Sequence, residues 1–311
     1  MKRFLITIVS AVCLICILIL AMNSIYGDFL NDLDSDYTLK FQEVPDKIQI
    51  CNLGSSHGLY GFCYDDTSMD SGFNFSLVGQ TLEYDNRILT YYKDRINEEA
   101  KVIIPISYFS FFGEGEQNTE AFRSKNLRYY KFLPKEYIRY YSFSEDIQVK
   151  LPVLFAYESI ADVFYKENEN DNIWNTALNA SNYDASYTVR KHIGQCCDDM
   201  GNVLLNPDSI EAIYSMIDVC KEIGVRPILI TTPLTSKYRN GIMSDKMELY
   251  DAFYEQIEKI VDKTGIEYYD YSFDERFSNN LDYFMDVDHL NKKGAKKFTK
   301  IVLQRLNKRR D

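Results

Sequence analysis

Imidazole is scarce in this chain. Its 311 residues include three histidines, His57, His192 and His289, and one tryptophan, Trp174. A side-chain base that works near neutral pH is most often a histidine, so general-base chemistry has few candidates to draw on. Positive charge is also short: 35 Lys and Arg against 46 Asp and Glu leave a formal net charge of -11. Phosphate contact needs a basic surface, so no nucleic-acid partner is expected. Outside the N-terminal apolar run no paired Cys-x-x-Cys spacing occurs, and no zinc site is expected. Internal repeats and low-complexity tracts are missing too.

With 46% hydrophobic and 26% charged residues, the chain can bury a full core, as one large domain or one domain with an insertion. Of the seven cysteines, Cys13 and Cys16 lie in the N-terminal run. Cys51 and Cys220 fall at apolar positions of a strand and a helix, where free thiols are commonly buried. Cys63 has Cys196 or Cys197 as a candidate disulfide partner, which the sequence leaves open.

Lys2 and Arg3 precede a nearly unbroken apolar run from Phe4 to Met22, about the length of one bilayer span. Two positive residues at its start predict a cytoplasmic N-terminus and an extracytoplasmic remainder. Residues 1–22 are read as a transmembrane anchor. A cleaved signal peptide is the alternative, against which stand the length of the run and the want of a small-x-small cleavage site. Residues 23–46 are polar and acidic and read as a tether. From Lys47 the pattern becomes β, β, α, β with short connections: strands at Lys47–Leu53, Phe73–Leu77 and Lys101–Ser107, and a helix over Thr81–Asn97. Residues 108–205 break the rhythm. They are rich in tyrosine, contain Trp174, and read as a partly helical insertion in the domain 47–311, with a helix over Leu151–Tyr165. The α/β rhythm then returns. Asn206 and Pro207 start a helix that Gly224 ends. A strand follows at Pro227–Thr232, a helix over Ser244–Lys263 and a strand at Ile266–Tyr271. Asn291 then caps a final helix whose basic face is read as solvated, with a membrane-surface or anionic-polymer contact as the alternative.

The first strand breaks at Gly54 into Ser55, Ser56 and His57, which sets a hydroxyl at the carboxyl edge of a sheet, where α/β folds bind ligands. A serine nucleophile needs a base and a group to orient it. His57 is adjacent to Ser56 and in an extended segment would point away, so it is read as a turn or rim residue. His192 has no visible partner. His289 has Asp286 three residues earlier, a spacing that puts both on one face of a turn. Asp288 is read as less well placed. Carboxylates beside an imidazole also suit a metal, but no second ligand cluster is evident and none is assigned.

Gly54-Ser55-Ser56 after the first strand, Gly79 after the second and Asp286-x-x-His289 before the last helix resemble the blocks of the SGNH/GDSL hydrolase superfamily. The DHLNKKGA sequence and the N-terminal anchor are similar to its membrane-anchored branch. That branch includes the D-alanyl transfer protein of lipoteichoic acid synthesis and the alginate O-acetylation proteins. The resemblance implies an α/β fold: a three-layer flavodoxin-like sandwich with a parallel sheet of about five strands, plus a largely helical insertion. It implies Ser56 as nucleophile, His289 as base, Asp286 as orienting acid, and an oxyanion hole from the Ser56 and Gly79 amides. The family's Gly-x-Asn after strand three is replaced here by Ile106-Ser107-Tyr108, and Ser107 is the stand-in donor. The implied function is an esterase or O-acyltransferase acting through an acyl-serine, without cofactor. The implied partners are an acylated cell-envelope glycan or teichoic-type polymer and a membrane-bound O-acyltransferase. The alternative is a non-catalytic anchored module that binds such a polymer or such an acyltransferase.

Overall fold

The computed structural model describes residues 1–33, 37–65, 71–155, 173–178 and 183–308. The chain forms two compact units, Met1–Gln42 with Asn118–Asp171, and Glu43–Gln117 with Asn172–Asp311. In chain order the helices are α1 (Lys2–Leu33), α2 (Ser56–Gly61), α3 (Leu82–Tyr92), α4 (Glu120–Asn126), α5 (Phe143–Lys150) and α6 (Ser186–Cys196). After them come α7 (Pro207–Glu222), α8 (Ser236–Asp245), α9 (Met247–Thr264), α10 (Glu275–Ser278) and α11 (Lys292–Asn307).

The second unit is built on five parallel strands, β1 (Ile48–Asn52), β2 (Gly72–Asn74), β3 (Ile96–Pro105), β4 (Arg226–Thr231) and β5 (Glu267–Asp270), in the order β2-β1-β3-β4-β5. The chain leaves β1 toward one edge and returns to build β3 on its other side. Loops after these two strands therefore diverge and open a crevice at their carboxyl ends. The apolar runs that predicted strands are buried because helices cover the sheet. Ile50, Ile103, Ile228 and Ile230 pack in one cluster with Phe298, Val302 and Leu306 of α11. α3 packs on α7, and α2 on α11. This is the α/β arrangement that the strand and helix pattern pointed to, in the flavodoxin-like order that the resemblance implied.

Local signals act where expected. The Asn206 side chain accepts from the Asp208 and Ser209 amides and Pro207 occupies the first turn of α7. Such a cap contributes on the order of 1 kcal/mol. Gly265 ends α9 at φ 69. Several boundaries differ. The helix expected to reach Asn97 stops at Tyr92, because Ile96 already pairs with Ile48 and extends β3 backwards. The helix expected over Ser244–Lys263 is α9, which starts at Met247, and a further helix, α8, precedes it and ends at Asp245. Of the helix expected over Leu151–Tyr165, Pro152–Phe155 is one 3-10 turn and the remainder lies outside the described residues. The seven cysteines are free thiols, so neither pairing open to Cys63 forms.

In the first unit, Phe41 stacks on Phe132 with centroids 3.6 Å apart, and Arg123 and Tyr130 both donate to Glu145. Lys2–Tyr26 of α1 is long and apolar enough to cross a membrane, and Phe4, Leu5, Ile17 and Leu20 are exposed on it.

Candidate active site

The turn after β1 is built from buried polar groups. Gly54 has φ 111, a backbone conformation that favours glycine. A Cβ there would press on the Pro105 ring at 3.2 Å. The Gly54 amide donates to Asp85 Oδ1 at 2.7 Å, and Gln80 donates to the same oxygen. Burial pushes the Asp85 carboxyl up to about 7, against which the Gln80 and Gly54 hydrogen bonds work. Behind the turn, the Asn52 amide donates to the Gly58 carbonyl, Asn74 Oδ1 and Ser76 Oγ. Gly58 sits so close to Leu53 O and Ser76 Oγ that no side chain fits. These contacts fix where α2 begins, and α2 begins with Ser56.

The second half of the site is the loop before α11. Asn291 caps that helix and donates to the Thr176 and Asp282 carbonyls. Thr235 donates to the Val287 carbonyl. Within the loop, Asp286 Oδ1 accepts the Asp288 and His289 amides at 3.0 and 2.8 Å. A residue bonded this way to the backbone three positions on is an Asx-type turn, and it throws the His289 ring onto its own carboxylate.

The two halves meet at one hydrogen-bonded line. His289 Nδ1 donates to Asp286 Oδ2 at 2.8 Å, and His289 Nε2 lies 2.8 Å from Ser56 Oγ. The residues are 233 positions apart in sequence and within reach of one proton transfer. Gly79 and Ser107 stand in the segments that follow β2 and β3. Gly79 has φ 62 and is exposed. Ser107 is buried, and its amide donates to Ser110 Oγ at 2.8 Å.

Three residues gain roles that the sequence did not signal. His57 is not on a rim: it is 3% exposed, because Ser56 opens a helix rather than continuing a strand. Its Nε2 lies 3.4 Å from Asp288 Oδ2, and its ring is 4.7 Å from that of His289. Asp288 is farther from the ring than Asp286, as expected, but it is buried where Asp286 is not. Its side chain is 2% exposed, and its Oδ1 lies 3.5 Å from His289 Nδ1. His192 hydrogen-bonds Tyr238 Oη at 2.6 Å and lies 3.8 Å from Asp288 Oδ2. All three imidazoles of the chain therefore surround one carboxylate. The signal available in sequence was the second acid of Asp286-Val287-Asp288-His289.

Burial alone would lower the basicity of His289, but the Asp288 charge, then that of Asp286, outweighs it and raises the ring to about 9. Burial keeps His57 low, and burial takes His192 down to about 4, so both are neutral near pH 7. Burial opposes ionisation of Asp288 as well, yet the imidazoles around it hold the carboxyl below its usual range. Donor atoms of His57, Asp288 and His289 lie within 4.8 Å of one another. Of the His289 ring atoms, Nδ1 already donates to Asp286. Beyond the polar cluster, Tyr60 meets His289 edge-on at 5.6 Å and Trp174 lies 6.1 Å from Tyr60. A cavity lined by Tyr250, Tyr254, Asp270 and Phe273 includes none of these residues.

Residues 210–304 match the family model of the DltD protein. The chain is DltD-like over that segment. The match takes in β4, β5, Asp286 and His289 and most of α11, and leaves out the Ser56 turn. Two solved structures are similar. A candidate acylhydrolase from Bacteroides fragilis is 14% identical, with TM-score 0.40, covering 88% of this chain and 98% of its own. A candidate platelet activating factor from Streptococcus pneumoniae is 11% identical, with TM-score 0.40, covering 91% and 97%. A search of curated proteins finds no match.

Proposed function

We propose that the chain is a membrane-anchored serine esterase or O-acyltransferase that acts on ester-linked acyl groups of a cell-envelope polymer. The observation that carries this reading is the Ser56–His289–Asp286 line, with 2.8 Å at each junction. Neutral His289 takes the Ser56 proton as Oγ attacks the acyl carbonyl. The carbonyl electrons move to oxygen, and the amides of Ser56 and Gly79 with the Ser107 hydroxyl face that charge. Collapse breaks the ester C–O bond, and His289 returns the proton to the leaving alkoxide. Water or a second hydroxyl then attacks acyl-Ser56 by the same steps in reverse. The DltD likeness and the apolar helix Lys2–Tyr26 support a teichoic-type polymer as substrate and a membrane-bound O-acyltransferase as partner.

The test is labelling of the full chain with a fluorophosphonate, alongside turnover of a chromogenic acetyl ester. Ser56→Ala is expected to abolish both, and His289→Ala to slow both by roughly a hundredfold or more. Full labelling of Ser56→Ala would remove Ser56 as nucleophile. A second reading is a non-catalytic module that binds polymer or a membrane acyltransferase. What favours it is Ser107 where an oxyanion asparagine is usual, with an imidazole that is mostly protonated at neutral pH. Wild-type chain that takes no label at pH 9 would support this second reading.

A further inference from the structure

The geometry assigns Asp288, backed by His57, as a second carboxylate for the His289 base: a positioning residue that holds the imidazolium charge while Asp286 fixes the ring's direction. The inference rests on the proposed role of His289 and deepens it.

The two carboxylates differ in what surrounds them. Asp286 makes the better hydrogen bond to Nδ1, but its side chain is 47% exposed. Water and salt screen a charge in that position. Asp288 is more distant at 3.5 Å and almost wholly buried, so its field reaches the ring with little screening. A buried carboxylate must find a cation or give up its charge. The groups that face the cluster are Asp286 and Asp288 on the loop, His57 and Tyr60 on α2, His192 and Lys191 on α6, and Tyr238 on α8. His57 and His192 stay neutral near pH 7 for the reasons given above, and Lys191 acts on His289 by repulsion, lowering its basicity. The proton that balances Asp288 is therefore carried by His289.

His57 completes the arrangement by what it does not do. Among the described residues, neither of its ring nitrogens, nor Asp288 Oδ2, has a hydrogen-bond partner of good geometry, although Nε2 stands 3.4 Å from that oxygen. The contact is close but poorly aligned, and both side chains are buried, so a neutral His57 packs against Asp288 without supplying the cation that balances it. The undischarged carboxylate then acts on the one imidazole that also touches Ser56.

The test uses the whole chain in detergent micelles with isotope-labelled histidine. Three histidines give three imidazole signals, assigned by His57→Gln, His192→Gln and His289→Gln and followed by NMR against pH. His289 is expected to titrate highest, with His57 and His192 neutral through the neutral range. Asp288→Asn is expected to lower the His289 midpoint by about one unit or more, and Asp286→Asn to lower it less while weakening the Nδ1–H signal. The same order of shifts is expected in the pH profile of fluorophosphonate labelling. The inference is overturned if Asp288→Asn leaves the midpoint in place, or if Asp286→Asn moves it further. It is overturned in the wild type alone, whether or not the variants fold, if His57 carries the highest midpoint. The NMR titration does not depend on turnover. A failure of Ser56 as nucleophile would show in the labelling and leave the histidine midpoints standing.

Discussion

Ser56 and His289 meet at 2.8 Å, and the state of the proton between them sets what this site can do. A His289 ring raised to about 9 is mostly imidazolium at neutral pH, and attack by Ser56 needs the neutral ring. Turnover of an acetyl ester should therefore climb as pH rises toward about 9. Stability should move the opposite way. The folded ring binds its proton more tightly than an ordinary histidine at 6.5, so its contribution is full below 6.5 and is lost as pH rises through about 9. Chemical denaturation of wild type and His289→Gln should show a stability gap that closes over that window. A gap that stays constant would mean the ring's charge is not held by the fold. At this scale the sequence disclosed Ser56, Asp286 and His289, because a strand-turn serine and an Asp-x-x-His spacing have chemical meaning on their own. It concealed His57 and Asp288. Where an adjacent residue points depends on whether Gly54-Ser55-Ser56-His57 stays extended or turns into a helix, and that is decided by contacts with Asp85, Asn52 and Ser76 from elsewhere in the chain.

Among the elements, the turn from β1 into α2 depends most on remote support. Asp85 of α3 holds the Gly54 amide, and its Oδ2 has no hydrogen-bond partner among the described residues. Burial raises this carboxyl from 3.8 to about 7, so its stabilising contribution is full below 3.8 and is lost as pH rises through about 7. Asp85→Asn keeps the accepting oxygen and cannot ionise. Wild type should lose stability between pH 4 and pH 8 that the variant does not, as read by thermal unfolding of the two side by side. Parallel curves would show that Asp85 keeps its ordinary affinity for protons. Strands and amphipathic helices were readable from apolar runs and from caps such as Asn206-Pro207. Helix α8 was not, since its sequence is mostly polar and Tyr238 and Ile242 are its buried residues.

For the whole molecule, the order β2-β1-β3-β4-β5 is given by the structure, while a parallel α/β sheet followed from alternating apolar runs and helical stretches. The grouping of residues 118–171 with the N-terminal segment did not, because nothing in local periodicity records which distant segment a helix will join. The apolar helix Lys2–Tyr26, 25 residues, is long enough to cross a bilayer. The full chain should sediment with membranes and remain there in high salt, and its mature N-terminus, read by mass spectrometry, should be that of α1. A mature chain that begins beyond residue 22 would indicate a cleaved leader instead.

One feature of the site also makes it visible. The single tryptophan stands one ring away from the tyrosine that meets His289. The chain's indole emission thus arises from one place beside the Ser56–His289–Asp286 line. An acyl group lodged against Tyr60, or a change of charge on His289, alters the surroundings of that one fluorophore. The protein carries its own optical reporter of site occupancy, with no competing indole to subtract and no label to attach.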